Sequence, residues 1–146
     1  MPIYFYAKTD PNYEFSNFSP YGIEMEGVWW DTVEHYFQAQ KFENKDYQEK
    51  IRRSYEAKDA INLGRTRDVP IRTDWEEIKD SIMKTGVLKK FETHPSLTKL
   101  LLSTKNQEII ESSPHDYYWG CGADGSGENR LGKILMEVRQ YIENSA

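Results

Sequence analysis

Leu131, Ile134, Leu135, Val138 and Ile142 recur at three- and four-residue intervals between Arg130 and Glu143, with mostly polar and charged residues between them. A stripe of that period belongs to an amphipathic helix, and it holds only if another layer covers it. The rest of the chain supplies that layer mostly as helices. Asp31 or Thr32 caps a helix running to about Asn44. A second covers Asp46 to Arg53, and a third begins after Ser54 and stops at Gly64, read as a left-handed C-terminal residue. Asp74-Trp75-Glu76-Glu77 has the capping-box pattern and opens a long helix to about Glu92, with Ile78, Ile82, Leu88 and Phe91 on its apolar side. His94-Pro95 ends that helix, and Ser96 starts a short one with Leu97, Leu100 and Leu101 inward.

Strand signals are few. Ile3 to Tyr6 reads as a short strand, Gly22 to Trp30 as a hairpin turning at Glu26-Gly27, and Ile109-Ile110 as another strand. Tyr13 to Pro20 reads as a strand edge or a loop. The fold class expected is α+β, mainly helical. With no repeat, linker or low-complexity tract, residues 1–146 make one domain.

Composition narrows the function classes. No apolar run approaches the roughly 18–20 residues of a membrane span. The first residues lack the basic and apolar regions of a signal peptide, so a cytoplasmic protein is expected. The single cysteine, Cys121, excludes an internal disulfide framework and is read as a small packing residue. Three scattered histidines and one cysteine form no metal-ligand pattern, so neither metal nor cofactor is expected. A net charge of −5 argues against a broad nucleic-acid surface, though it leaves room for one extruded nucleotide or a small phosphorylated ligand. Aromatic residues at 14 % exceed what a core of this size needs, which raises the weight of a stacking site for a flat ligand.

Three stretches carry candidate chemistry. In Thr32-Val33-Glu34-His35-Tyr36-Phe37-Gln38-Ala39-Gln40-Lys41-Phe42, the spacing puts Glu34, Gln38 and Lys41 on one helix face, with Glu34 and Lys41 about 10.5 Å apart along the axis. Spacing alone leaves two readings: a reacting row, or a capping box from Asp31 to Glu34 with Lys41 answering the helix dipole. The stretch from Pro114 to Arg130 holds four glycines in eight residues beside Tyr118-Trp119 and Asp116. It feeds the N-terminus of the last helix, a natural anion site, with Asn129 either its cap or a ligand contact. Arg65 and Arg67 follow a helix end and suit either phosphates or surface ion pairs.

Taken together, Phe15-Ser16-Asn17-Phe18, Glu34-His35-Tyr36-Phe37-Gln38-Ala39-Gln40-Lys41-Phe42, Gly64-Arg65, Trp75, Asp116-Tyr117-Tyr118-Trp119-Gly120 and Asn129-Arg130-Leu131-Gly132 resemble the NADAR (NAD and ADP-ribose) family, from about Ile3 to Glu143. The resemblance implies N-glycosidase activity on a ribose–nitrogen bond. Its expected substrate is ADP-ribosylated guanine in DNA, most readily single-stranded, releasing ADP-ribose. The alternative is a ribosyl-phosphate N-glycoside among early riboflavin-pathway intermediates. It also implies catalytic positions at Glu34, Lys41 and Asp116, and substrate contacts at Asn17, Gln38, Trp75, Trp119, Gly120, Asn129 and Arg130. Lys41 acting covalently is part of that expectation. A non-catalytic ADP-ribose or NAD binding module is the rival of another class. It would need the aromatics and glycines but not Glu34 and Lys41 together.

Overall fold

The computed structural model describes residues 1–145. Four strands are short: β1 (Ile3–Phe5), β2 (Ile23–Met25), β3 (Val28–Trp30) and β4 (Ile109–Glu111). Six helices carry most of the chain: α1 (Val33–Gln40), α2 (Lys45–Arg52), α3 (Ala57–Gly64), α4 (Trp75–Thr93), α5 (Pro95–Ser103) and α6 (Arg130–Ser145). The fold is α+β and mainly helical, as expected. Strand β1 pairs with β4 in parallel, Phe5 opposite Glu111, and β2 pairs with β3 in antiparallel register. The β2–β3 turn has positive φ at both Glu26 and Gly27, the backbone that a two-residue hairpin demands. Residues Tyr13–Phe15 form a 3-10 turn rather than a strand edge. Among the described residues no helix is long and apolar enough to cross a membrane.

Two apolar clusters meet at α1. Val33 and Phe37 pack into the larger one with Phe5, Met83, Phe91 and Leu135. Tyr36 and Ala39 pack into the smaller one with Ile23, Phe42 and Ile51. Two faces of α1 are thereby committed to cores, and the third carries Glu34, Gln38 and Lys41.

Local chemistry explains where the helices differ from expectation. Thr32 caps α1: its Oγ1 accepts from the His35 N–H at 3.1 Å, while Asp31 accepts from the Trp29 indole instead. No capping box from Asp31 to Glu34 forms. Helix α1 ends at Gln40, short of Asn44, because Phe42 bridges to Ile71 and Asn44 is needed to cap α2 through the Tyr47 N–H. Gly64 is not left-handed. Its missing side chain makes room for Gln38 instead, since a Cβ there would stand 2.0 Å from the Gln38 Oε1. At α4 the expected capping box is absent, since Asp74 pairs with Arg72 at 2.7 Å and leaves the helix N-terminus uncapped by its side chain.

One buried cation pins a loop. Lys90 of α4 is 1 % exposed, and its Nζ donates to the Glu14 carbonyl at 2.6 Å, the Ser16 carbonyl at 2.9 Å and Ser19 Oγ at 3.0 Å. All three ammonium protons find acceptors, which is what a charge this deep requires. The Ser16–Phe18 segment is thereby held against the helical core.

Candidate active site

The third face of α1 opens on a cavity of about 470 Å³, walled also by the Ser16–Phe18 loop, the end of α3, Met83 of α4, and the segment from Glu111 to Trp119. Glu34, Gln38 and Lys41 all line it, so their helical spacing was a true guide to a shared surface. Glu34 is 7 % exposed, and its Oε2 accepts from Gln38 Nε2 at 2.7 Å. Burial pushes the Glu34 carboxyl up to about 7, and the charge of Asp116 adds to this; the Gln38 hydrogen bond and the Lys41 charge oppose it. Lys41 donates to the Gly64 carbonyl at 2.7 Å, the last of α3. Burial lowers its pKa below the ordinary lysine value, against the opposing charge of Glu34.

Asp116 and Trp119 reach the cavity from the far wall. The Asp116 Oδ1 accepts from the Tyr118 N–H at 3.0 Å and the Trp119 N–H at 2.8 Å, a side-chain turn that sets the direction of the Trp119 ring. That ring is half-buried and meets Phe37 edge-on at 5.4 Å. Gly120 sits directly behind: a Cβ there would lie 2.8 Å from Glu111 Oε2 and 3.0 Å from the Asp116 carbonyl. Asn17 lines the cavity from the pinned loop, its Nδ2 against Met83 Sδ at 3.1 Å and its Oδ1 without any partner. Gln38 Oε1 is likewise unpartnered.

Four of the residues expected to contact substrate stand outside the lining, Gly120 just behind it among them. Trp75 is 6 % exposed in the core and supports Phe37 from behind at 5.0 Å. Asn129 is in the position before α6 with φ +51, but its side chain does not cap that helix. Its Oδ1 accepts from the Glu111 N–H at 3.0 Å and its Nδ2 donates to the Ile109 carbonyl at 2.9 Å, so it braces β4. Arg130 pairs with Asp80 and Glu128 on the surface, at 3.1 and 2.9 Å. The N-terminus of α6 is not an open anion site either. The N–H groups of Arg130 and Leu131 already donate to the carbonyls of Tyr118 and Trp119, both at 3.0 Å.

The cavity contains residues that no local pattern marked, above all Glu111, with Tyr6 and Ser113. Arg65 also lines it, which places this arginine beside the site rather than in a surface ion pair. Burial pushes the Glu111 carboxyl up to about 8, reinforced by the charges of Asp116 and Glu34. The cavity therefore gathers the carboxyl groups of Glu34, Glu111 and Asp116 with Lys41, Arg65 and several aromatic rings. Such a site can bind an anion, stack a flat ring and exchange protons. Among the described residues no group of three histidine, cysteine or acidic side chains is placed to hold a metal ion.

Residues 4–143 match the NADAR domain. The chain belongs to the NADAR family. Its relatives within and beyond that family name include an N-glycosidase of Nostoc punctiforme, 46 % identical over 99 % of this chain and 94 % of that protein. The N-glycosidase YbiA of Escherichia coli is 44 % identical over 96 % of this chain and 88 % of its own length. The solution NMR structure of that protein superposes with a TM-score of 0.92, at 42 % identity, covering 99 % of this chain and 86 % of the other. A chloroplastic riboflavin biosynthesis protein of Zea mays, PYRR, is 41 % identical over 96 % of this chain but only 25 % of its own length. The NADAR fold is thus shared across the whole described chain.

Proposed function

We propose that this NADAR protein is an N-glycosidase that hydrolyses a ribose–nitrogen bond. The observation that carries the reading is the convergence of a proton-exchanging carboxyl (Glu34), a desolvated amine (Lys41) and a second carboxylate (Asp116) on one cavity. Cleaving such a bond builds positive charge at C1′ and negative charge on the departing base. A carboxylate beside the sugar and a proton at the leaving group answer both. In this reading Glu34 activates water, Asp116 and Asn17 hold ribose hydroxyls, Lys41 and Arg65 face the phosphate end, and Trp119 stacks on the base.

The substrate class is a ribosyl-phosphate N-glycoside of an aminopyrimidine, of the kind formed early in riboflavin synthesis. Relatives named for riboflavin biosynthesis favour it. A second reading, ADP-ribosylated guanine in single-stranded DNA, is favoured by a different observation. Phe18 lines both the cavity and an adjoining groove of about 510 Å³ that also holds the exposed rings of Trp29 and Tyr55, room for a longer ligand. Incubation with each substrate, followed by chromatography of the freed base, tests both. Release from the ribosylaminopyrimidine phosphate is the expected result. Release only from ADP-ribosyl-guanine would transfer the assignment to DNA, and release from neither would end the N-glycosidase reading.

Trp119→Ala is expected to weaken binding of the ribosylated base by ~1–3 kcal/mol, the contribution of one stacked base. Calorimetric titration checks this, and unchanged affinity in a folded variant would reduce the ring to packing against Phe37.

A further inference from the structure

Glu111 lines the cavity with its backbone firmly held and its carboxyl free of side-chain partners. Its N–H donates to Asn129 Oδ1 at 3.0 Å, its carbonyl accepts from the Cys121 N–H at 2.9 Å, and β4 is paired with β1 at Phe5. Gly120 leaves room for the carboxyl that any larger residue would displace. Yet among the described residues nothing hydrogen-bonds the carboxyl itself. A half-buried acid held this firmly, lining the cavity and without a hydrogen-bond partner on its carboxyl, is free to meet a ligand there.

Asn17 points the same way from the opposite wall. It is 5 % exposed, lines the same cavity, and its Oδ1 lacks any donor. A ligand carrying an N–H or O–H satisfies it. The sides of the cavity thus offer an acceptor to hold a donor group and a carboxyl to exchange a proton.

Resting on the N-glycosidase reading above, we propose that Glu111 is a further catalytic residue, the acid that protonates the departing nitrogen. As the C1′–N bond breaks, its electron pair goes to the nitrogen and the Glu111 proton joins it there. A water oxygen bonds to C1′ and its proton passes to the Glu34 carboxylate. Solvent then returns a proton to Glu111 and takes one from Glu34, which restores both groups.

The division of labour follows from the surroundings. Glu34 has the Gln38 amide on one oxygen and the Lys41 charge nearby, both of which favour its ionised form. Glu111 has neither, and it faces the like charges of Asp116 and Glu34. Burial and these like charges push its carboxyl up, to about 8, so Glu111 is the member of the pair that keeps its proton while Glu34 gives its own up. Arg65 and Lys41 from the α1–α3 side, Asp116 and His115 from the loop after β4, and Tyr6 after β1 complete the charged and titratable groups that share the cavity.

The test compares two ribosyl 5′-phosphates across pH in the wild type, Glu111→Gln and Glu111→Asp. One is a ribosylaminopyrimidine, whose departing nitrogen must gain a proton. The other is a pyridinium riboside, whose ring leaves neutral on taking the electron pair alone. Glu111→Gln is expected to lose about 100-fold or more in kcat/KM on the first, together with the basic limb of its pH profile. It should stay within about fivefold of wild type on the second, where no acid is needed. Glu111→Asp should keep a basic limb at reduced rate, which preserves the test if the glutamine variant folds poorly. Equal loss on both substrates, wild-type rates on both, or a basic limb that survives Glu111→Gln would each overturn the assignment while leaving the N-glycosidase intact. A wild type that frees the base from neither substrate, nor from ADP-ribosyl-guanine, refutes the underlying reading, and Glu111 with it.

Discussion

Glu34→Gln is expected to lower turnover by ~10²–10⁴-fold, the usual contribution of a general base, while making the protein more stable above neutral pH. The two effects have one origin. In the folded chain the carboxyl ionises at about 7, well above its ordinary 4.5, chiefly because it is buried. A group whose pKa rises on folding stabilises the native state fully below its unfolded pKa, and that stabilisation is lost as pH climbs through the folded value. Ionised Glu34 at pH 8 is therefore a burden on the fold, of about 3 kcal/mol by the size of the shift. Glutamine has the same shape and no charge to desolvate. Thermal melts at pH 8 should show the variant melting higher than wild type, with the gap closing toward pH 4.5. An inactive variant that melts lower at pH 8 would mean the carboxylate is a structural partner, and wild-type turnover would remove it from the mechanism.

Lys41→Arg decides between the water route above and a covalent one: the covalent route requires that it abolish turnover and with it any adduct trapped by borohydride. In a covalent route the neutral Nζ attacks C1′, the base leaves with the bond's electron pair and a proton, and the sugar ring opens to an imine that water resolves. Burial favours the neutral amine, and the Gly64 carbonyl holds the nitrogen at 2.7 Å without neutralising it as a carboxylate would. Arginine keeps a positive charge at the phosphate end but has no neutral amine to offer. Mass spectrometry of borohydride-treated protein during turnover reads the result. Full activity in the variant would leave water as the nucleophile, with Glu34 as its base.

How much of this could be read from the chain alone differs by element. The row of Glu34, Gln38 and Lys41 was legible because a helix converts sequence spacing into a face, and the hairpin at Glu26-Gly27 because only certain residues accept its backbone. The capping box at Asp74 failed for a reason that sequence does not carry, the competing guanidinium of Arg72. Gly64 was read as a left-handed terminus, whereas its lack of a side chain serves Gln38 on another helix. Asn129 stands where an N-cap belongs, yet its amide reaches across to β4, and no local rule distinguishes those uses. Glu111 was invisible for the plainest reason. It ends a three-residue strand, and what surrounds it comes from α1 and the loop around Asp116.

The pairing of β1 with β4 has a consequence for how the site comes into being. Those strands are far apart in the sequence, Ile3 pairing with Ile109, and among the described residues each has only the other as a sheet neighbour. Closing so long a loop costs entropy before any contact rewards it, so contacts of this kind form late in folding. The helices around α1 can organise from nearer neighbours, and β4 leans on α6 and on the Asn129 amide, but its sheet partner is missing until the first residues return to meet it. The cavity is in that sense a product of the chain's closure upon itself.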